Sequence, residues 1–324
     1  MGVMQTHRFI LVLVFISATT SLLGCLWDKD TLAAEQARFP EIVQLITGSF
    51  PRHSREFHEW RVKSCEQLIA AKKDVPITHD DLAVSQHKLG NHKAAIATMQ
   101  RKEKLFPGEY ETYSNLGTFF IYTGQLDEAA RHIRKALAIN ENAHFGREKY
   151  QLWLVEWLQS RNTSKPENKS DRYLAPLGQP RGFVKFLATK VTLNEKERGK
   201  ALRGVLGMMW FADYDNPLLL EALGDLLIFG SQETNAAQLA AMSYLRAAQK
   251  TTDEAEKKRL SEHSSMAVKM TEGPYHEPSN LSKLLNHELA KGREYAESVR
   301  KDELAWIAEG ANAGELFQKK YWAE

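Results

Sequence analysis

The sequence predicts an all-α fold, an α-solenoid of helix-turn-helix repeats with additional C-terminal helices. Three observations carry this. Residues from Pro76 reappear, like beside like, from Tyr110 at an offset of 34, the mark of a repeated two-helix unit. Apolar residues elsewhere recur at helical spacing between breaks that contain proline or glycine. Nowhere does the chain alternate apolar and polar residues as a half-buried strand would.

The chain has 324 residues, 43% hydrophobic and 26% charged, enough to bury a sizeable core and too apolar for wholesale disorder. Lysine and arginine number 43 against 41 acidic residues. With no block of like charge, neither nucleic acid nor a polybasic membrane patch is expected.

Met1 to Arg8 is short and ends in a basic residue, and Phe9 to Leu23 is an apolar run of fifteen residues. At 1.5 Å per residue that run is too short for a bilayer core of about 30 Å but suits a signal peptide. Its ending, Leu22-Leu23-Gly24-Cys25, resembles the lipobox of bacterial lipoproteins. The resemblance implies cleavage after residue 24, acylation of Cys25, and a mature chain held at a membrane by its lipid. With Leu26 and not aspartate next, it implies the periplasmic side of an outer membrane. An ordinary signal peptide would leave the protein periplasmic or secreted.

Residues 25–75 read as a tether followed by helices. One helix-like stretch, Lys29 to Gly48, is interrupted by Pro40. A second runs from Ser54 to about Lys73 with Phe57, Trp60, Cys65, Leu68 and Ile69 as its apolar residues. Asp74-Val75-Pro76 ends it, since proline cannot continue a helix.

The repeats follow within residues 76–160. Leu82 falls on Leu116, Ala83 on Gly117, Gly90 on Gly124, Ala95 on Ala129, Met99 on Ile133 and Leu105 on Ile139. Small residues at 117 and 129 let two helices approach closely, and Gly124 permits the positive φ of the turn. Phe120, Ile133 and Leu137 supply the apolar stripe. On these residues, with Leu116 and Ala136, the second unit resembles the tetratricopeptide-repeat family. The first unit departs from that pattern: Gln86 stands where Phe120 is aromatic, and Lys102 where Ala136 is small. Two units are too few to stand alone. The amphipathic stretch from Phe145 to about Ser160, with Tyr150, Trp153, Leu154 and Trp157, is therefore expected to begin a third unit or a cap.

Residues 161–180 read as a loop or linker, and 181–324 as a helical C-terminal region. Pro217 to Phe229 carries a second Leu-Gly pair, Leu223-Gly224, followed by Ala241, Leu245 and Ala248. This is similar to a degenerate repeat with extra residues in its turn, as in Sel1-like variants. A charged helix from Thr252 to Met270, a break at 273–278 and a long polar helix from Asn280 to Gly310 complete the chain.

No catalytic constellation emerges: there is no GxSxG, Walker, GxGxxG or HExxH motif. Besides Cys25 only Cys65 is a cysteine, so no intramolecular disulfide and no thiolate metal site is expected. His53/His58 and His87/His92 are each five apart, a poor spacing for ligands on one helix face. The acidic pairs Asp80-Asp81, Asp213/Asp215 and Asp302-Glu303 point apart and read as solvated or capping residues. No metal, cofactor or small-molecule substrate is expected, and no enzymatic activity.

What the repeat resemblance implies is a concave groove for protein partners, lined by the first helix of each unit. By position it comprises Asp80, Val84, His87 and Lys88 from one unit and Glu111, Ser114, Asn115, Thr118 and Tyr122 from the next. Asn115 matches a residue that some relatives use to grip a C-terminal carboxylate, but Asp80 and Val84 replace its lysine and asparagine companions. The expected function is a membrane-anchored scaffold mediating protein–protein interactions in the bacterial envelope. The alternatives are an enzyme or redox accessory subunit with its site in the C-terminal helical half, and a structural filler that oligomerises.

Overall fold

The computed structural model describes residues 27–30, 39–141, 146–163, 179–230, 235–271 and 276–322. The expected signal peptide, Cys25, Phe145 and residues 164–178 of the expected linker lie outside the described residues.

Every long element among the described residues is an α-helix, and none is a strand. In chain order they are α1 (Ile42–Thr47), α2 (Arg55–Ala70), α3 (Pro76–Lys88), α4 (His92–Leu105), α5 (Tyr110–Tyr122), α6 (Leu126–Ile139) and α7 (Arg147–Thr163). There follow α8 (Gly182–Ala188), α9 (Glu195–Phe211), α10 (Pro217–Ile228), α11 (Ala236–Lys250), α12 (Glu254–Val268), α13 (Pro278–Ala308) and α14 (Ala313–Phe317). A short π-helical turn, Gln318–Trp322, follows α14.

The starts are written in the sequence. Ser54 caps α2 by accepting from the Phe57 amide, Asn194 caps α9 and Asp253 caps α12. Pro76, Pro217 and Pro278 each occupy a first helical turn, where the missing amide costs nothing. The 34-residue register holds at every boundary: α3 and α5 start at 76 and 110, α4 and α6 end at 105 and 139. Gly90 and Gly124, their matched turn glycines, both have positive φ, +85° and +74°.

Each helix from α2 to α7 packs on the next, α7 packs on α9, and α9 to α12 continue in order. The long α13 then returns to touch α12, α11, α1 and α2, so it closes the array onto its first helices. At that closure a Cβ on Gly292 would stand 2.2 Å from the Thr47 carbonyl oxygen. Only a bare α-carbon lets α13 pass the end of α1.

Two cores result. Ala83, Val84, Ala95, Met99, Leu116, Phe119, Ala129 and Ile133 form one between α3 and α6, reaching Leu152 and Val155 of α7. A larger one joins α1 to α7 through α13 around Leu220, Leu223, Leu227 and Tyr244.

Several sequence expectations shift. Within the helix-like stretch from Lys29 to Gly48, Phe39, Pro40 and Glu41 are non-helical, α1 starts at Ile42 and Gly48 in the left-handed conformation ends it; residues 31–38 lie outside the described residues. Arg161, expected to open the linker, still belongs to α7, where it pairs with Glu221 and Glu256. Leu68 is exposed and not part of the buried stripe of α2. Between Gly224 and its contact Tyr244 the spacing is 20 residues, against 16 between Gly117 and Ile133. The turn from α10 to α11 holds four more residues than that from α5 to α6, seven against three.

Candidate functional site

The middle turns of α2, α3 and α5 surround a segment of the chain itself, Trp27–Asp30. Trp27 and Asp28 are non-helical, and Lys29 and Asp30 carry helical backbone. Asn115 on α5 holds the Trp27 main chain from both sides: its Oδ1 accepts from the Trp27 amide at 2.9 Å, and its Nδ2 donates to the Trp27 carbonyl at 3.1 Å. Asp81 on α3 accepts from the Lys29 amide at 3.0 Å. Asp81 and Asn115 are 34 residues apart. The same position of successive units therefore grips main-chain amides two residues apart.

Arg61 on α2 reads the side chains. Its Nη2 donates to Asp28 at 2.8 Å, its Nη1 to Asp30 at 2.5 Å and its Nε to Ser85 Oγ at 2.6 Å. The planar fork suits this double carboxylate recognition in a way that a lysine could not. Around it, Asp28, Asp30 and Arg61 are nearly inaccessible to solvent.

His53 ties the segment to the closing helix. Its Nδ1 meets Glu303 Oε1 at 2.6 Å, and its Nε2 lies 3.1 Å from Asp30 Oδ2, near enough for a charge pair though off the line of a good hydrogen bond. The ring stacks on Phe57 at 3.6 Å between centroids and leans on Phe317 at 3.9 Å. Glu303 also accepts from the Ser54 amide, and Gln318 donates to Asp30. Burial opposes the charged imidazole, but Asp30 and Glu303 outweigh it and raise its pKa. Burial would likewise raise Asp30, yet His53 and Arg61 hold it well below the usual carboxylate range. Burial, with Asp28 and Asp30 adding to it against Arg61, pushes the Asp81 carboxyl up to about 7.

The residues expected to line the groove divide. Asn115 touches the segment directly. Asp80 is buried beside Asn115, whose Nδ2 also donates to it at 3.3 Å, and lies 2.7 Å from the Nζ of Lys102, a lysine with no exposed surface that also reaches Glu109 at 2.8 Å. Lys102 was a departure from the family pattern, and Asp80 is its compensation. Burial pushes Asp80 up, Lys102 pulls it back, and the half-buried Glu111 adds to the upward push. Val84 is taken into the core, so it cannot line an open groove. Thr118 is covered by α7, whose Gln151 donates to its hydroxyl at 2.9 Å, and Ser114 is buried.

His87 packs between Phe119 and Tyr122, and its Nδ1 meets that of His92 at 3.0 Å across the turn. Burial lowers both imidazoles, so neutral rings share that proton. Tyr122 is half-buried against them. Lys88 keeps more than a third of its surface accessible, and burial of its ammonium lowers it to about 8. Its Nζ donates to the Phe211 and Ala212 carbonyls at the end of α9.

Asp81, Arg61, His53 and Glu303 are the site residues sequence reasoning missed; Glu303, read as solvated or capping, is fully buried against His53 and the Ser54 amide. The signal for Asp81 was present, because it stands 34 before Asn115. Nothing in the sequence marked Arg61. The acidic pair Asp80-Asp81 does point apart, but into two buried networks and not into solvent. Cys65 is buried, and burial pushes its thiol up to about 12, so no thiolate nucleophile forms there.

In the C-terminal half, burial and then Glu221 raise Asp225 to about 7. Its oxygens accept from the Tyr244 hydroxyl at 2.7 Å and the Phe183 amide at 3.2 Å, which makes it a strut between α8, α10 and α11. Among the described residues no group of three or more His, Cys, Asp or Glu side chains is arranged to hold a metal, and no helix is long and apolar enough to cross a membrane. No protein-family model matches the chain, and no curated protein matches it.

Proposed function

We propose that this chain is a membrane-anchored scaffold of tetratricopeptide type that binds segments of other envelope proteins and catalyses nothing. The observation that carries the reading is the pairing of Asp81 with Asn115. Residues one repeat apart hold consecutive odd-numbered amides of a polypeptide segment, which is how a repeat array recognises protein main chain without regard to most side chains. The boundary-for-boundary 34-residue register of α3–α4 and α5–α6 supports the repeat assignment.

For the anchor, support comes from Leu22-Leu23-Gly24-Cys25. Acyl chains on Cys25 would contribute about 0.8 kcal/mol per buried methylene, two residues before the clamp on Trp27. The expected place is the periplasmic face of an outer membrane. Replacing Cys25 with serine should release the protein from membranes and abolish labelling by a fatty-acid probe. Crosslinking in envelope fractions should capture protein partners whose yield falls in an Asn115→Ala variant. Undiminished labelling would remove the anchor, and undiminished capture would remove the groove.

A further inference from the structure

The site is already full. Trp27–Asp30 takes every group that a visiting segment would use: both sides of the Asn115 amide, the Asp81 carboxylate and two arms of the Arg61 guanidinium. Yet the segment fits with defects. The indole Nε1 of Trp27 is buried and finds no hydrogen-bond partner among the described residues, and an unsatisfied buried donor subtracts from the stability of whatever brings it there.

The clamp also has somewhere to go when the segment leaves. Asp81 Oδ1 lies only 3.9 Å from Arg61 Nη1, beyond Asp28 and Asp30 in the competition for it. Losing the segment would remove two carboxylates from beside Asp81 and leave it as the natural counter-ion of Arg61. Buried charges usually resist exposure because one partner is stranded; here neither is. On the far side, Glu303 keeps His53 by its Nδ1 when Asp30 departs from Nε2.

We propose that Trp27–Asp30 is an exchangeable occupant of its own binding site, and that the site receives in its place an aromatic-Asp-x-Asp segment of a partner protein. The identity of the partner as a protein rests on the scaffold reading; the exchange does not. The chemistry of the clamp sets the pattern. Arg61 requires two carboxylates two residues apart, Asn115 and Asp81 require main-chain amides two apart, and the aromatic position precedes the first carboxylate. In the resting protein the site is self-blocked, so partner affinity is reduced by the fraction of molecules in which the segment is bound.

The probe is a fluorescent peptide of residues 26–31, LWDKDT, titrated into two full-length mature chains carrying Cys25→Ser. One has the native segment, and the other carries Asp28→Asn and Asp30→Asn. The loosened chain should bind at least tenfold more tightly than the native one, and adding Arg61→Lys or Asn115→Ala to it should abolish the gain. A peptide bearing both Asp→Asn changes should not bind. Failure of the loosened, still helical chain to bind peptide would overturn the exchange, leaving capture of partners elsewhere on the scaffold intact. Equal binding by both chains would overturn the self-block while leaving a peptide site. Should the loosened chain unfold, a native chain with a protease site in place of residues 32–37 answers the question. After cutting, labelled peptide should replace the severed segment, and a severed segment that stays bound without exchange would sink the proposal.

Discussion

The hairpins α5–α6 and α10–α11 are built on one device and put to opposite ends. In each, a glycine in the first helix lies under a large residue of the second. A Cβ on Gly117 would stand 2.5 Å from Ile133 Cγ1, and one on Gly224 2.6 to 2.8 Å from three atoms of the Tyr244 ring. The rest of each first helix differs. α5 buries Ser114, Asn115 and Thr118, whose polar atoms need partners, and part of that need is met by another segment of chain. α10 buries Leu219, Leu220, Leu223, Leu226, Leu227 and Ile228, which need only one another, and its two polar residues, Glu221 and Asp225, are held by Arg259 and Tyr244. The glycine contact makes a hairpin; the composition of the remaining faces decides whether it becomes the wall of a site or the centre of a core.

The comparison assumes that both hairpins sit in one closed array, and the harshest way to break it is at the closure. Gly292→Val would drive a side chain into the Thr47 backbone, which cannot rotate away. The cost should reach about 3 kcal/mol, the upper end of ordinary overpacking. Urea unfolding of the variant with a loss below about 1 kcal/mol would mean that α13 is not held there.

In Gly117→Ala the obstacle is the single aliphatic carbon Cγ1 of Ile133, which can yield by leaning off its rotamer at about 1 kcal/mol. In Gly224→Ala it is a rigid ring whose hydroxyl is fixed on Asp225, so the cost should be about 2–3 kcal/mol. Thermal melts of the pair should rank Gly224→Ala lower, and the reverse order would show that Tyr244 yields more easily than Ile133.

Buried ionisable groups, in the polar site and beside the C-terminal core, should also give the protein a pH dependence that apolar contacts cannot. The pKa of His53 is raised on folding, so its contribution is full below the unfolded value of about 6.5 and is lost as pH rises through the folded one. Asp30 is lowered, so its contribution is present above about 3.8 and is lost as pH falls through its folded value. The raised Asp81 and Asp225, both about 7, favour their protonated forms in the fold and add to the loss as pH rises. Above pH 6.5, where the lowered His87 and His92 are neutral folded or unfolded, stability should therefore decline toward pH 8, and His53→Gln should flatten that decline. An unchanged slope in that variant would assign the titration to the carboxyls alone. The smallest effect belongs to the exposed Arg55–Glu59 pair on α2, where Arg55→Ala should cost under about 0.5 kcal/mol and leave peptide binding unaltered.

Much of the helical layout was legible because its signals are local. Proline at a first turn, Ser54, Asn216 and Asp253 as caps, and glycine in a turn act within a few residues of themselves. The 34-residue period is a comparison of the chain with itself. The candidate site was legible only in part. Asn115 was found through its repeat position, but Val84 and Thr118, one position-type away, were claimed by the core and by Gln151 of α7. Lys102 looked like a flaw in the repeat until Asp80 and Glu109 were seen to enclose it.

Alone, the sequence determined that the chain is helical, where its helices begin, and that one hairpin is used twice, since propensity, capping and periodicity are properties of neighbouring residues. Only the tertiary structure decided that α13 closes on α1 and α2, and that Arg61 and His53 meet Asp28, Asp30 and Glu303 across as many as 250 residues. Such pairs carry no pattern along the chain. Charges far apart in sequence find each other because burial leaves them no water, and which ones are buried together is settled by the packing of every helix between them.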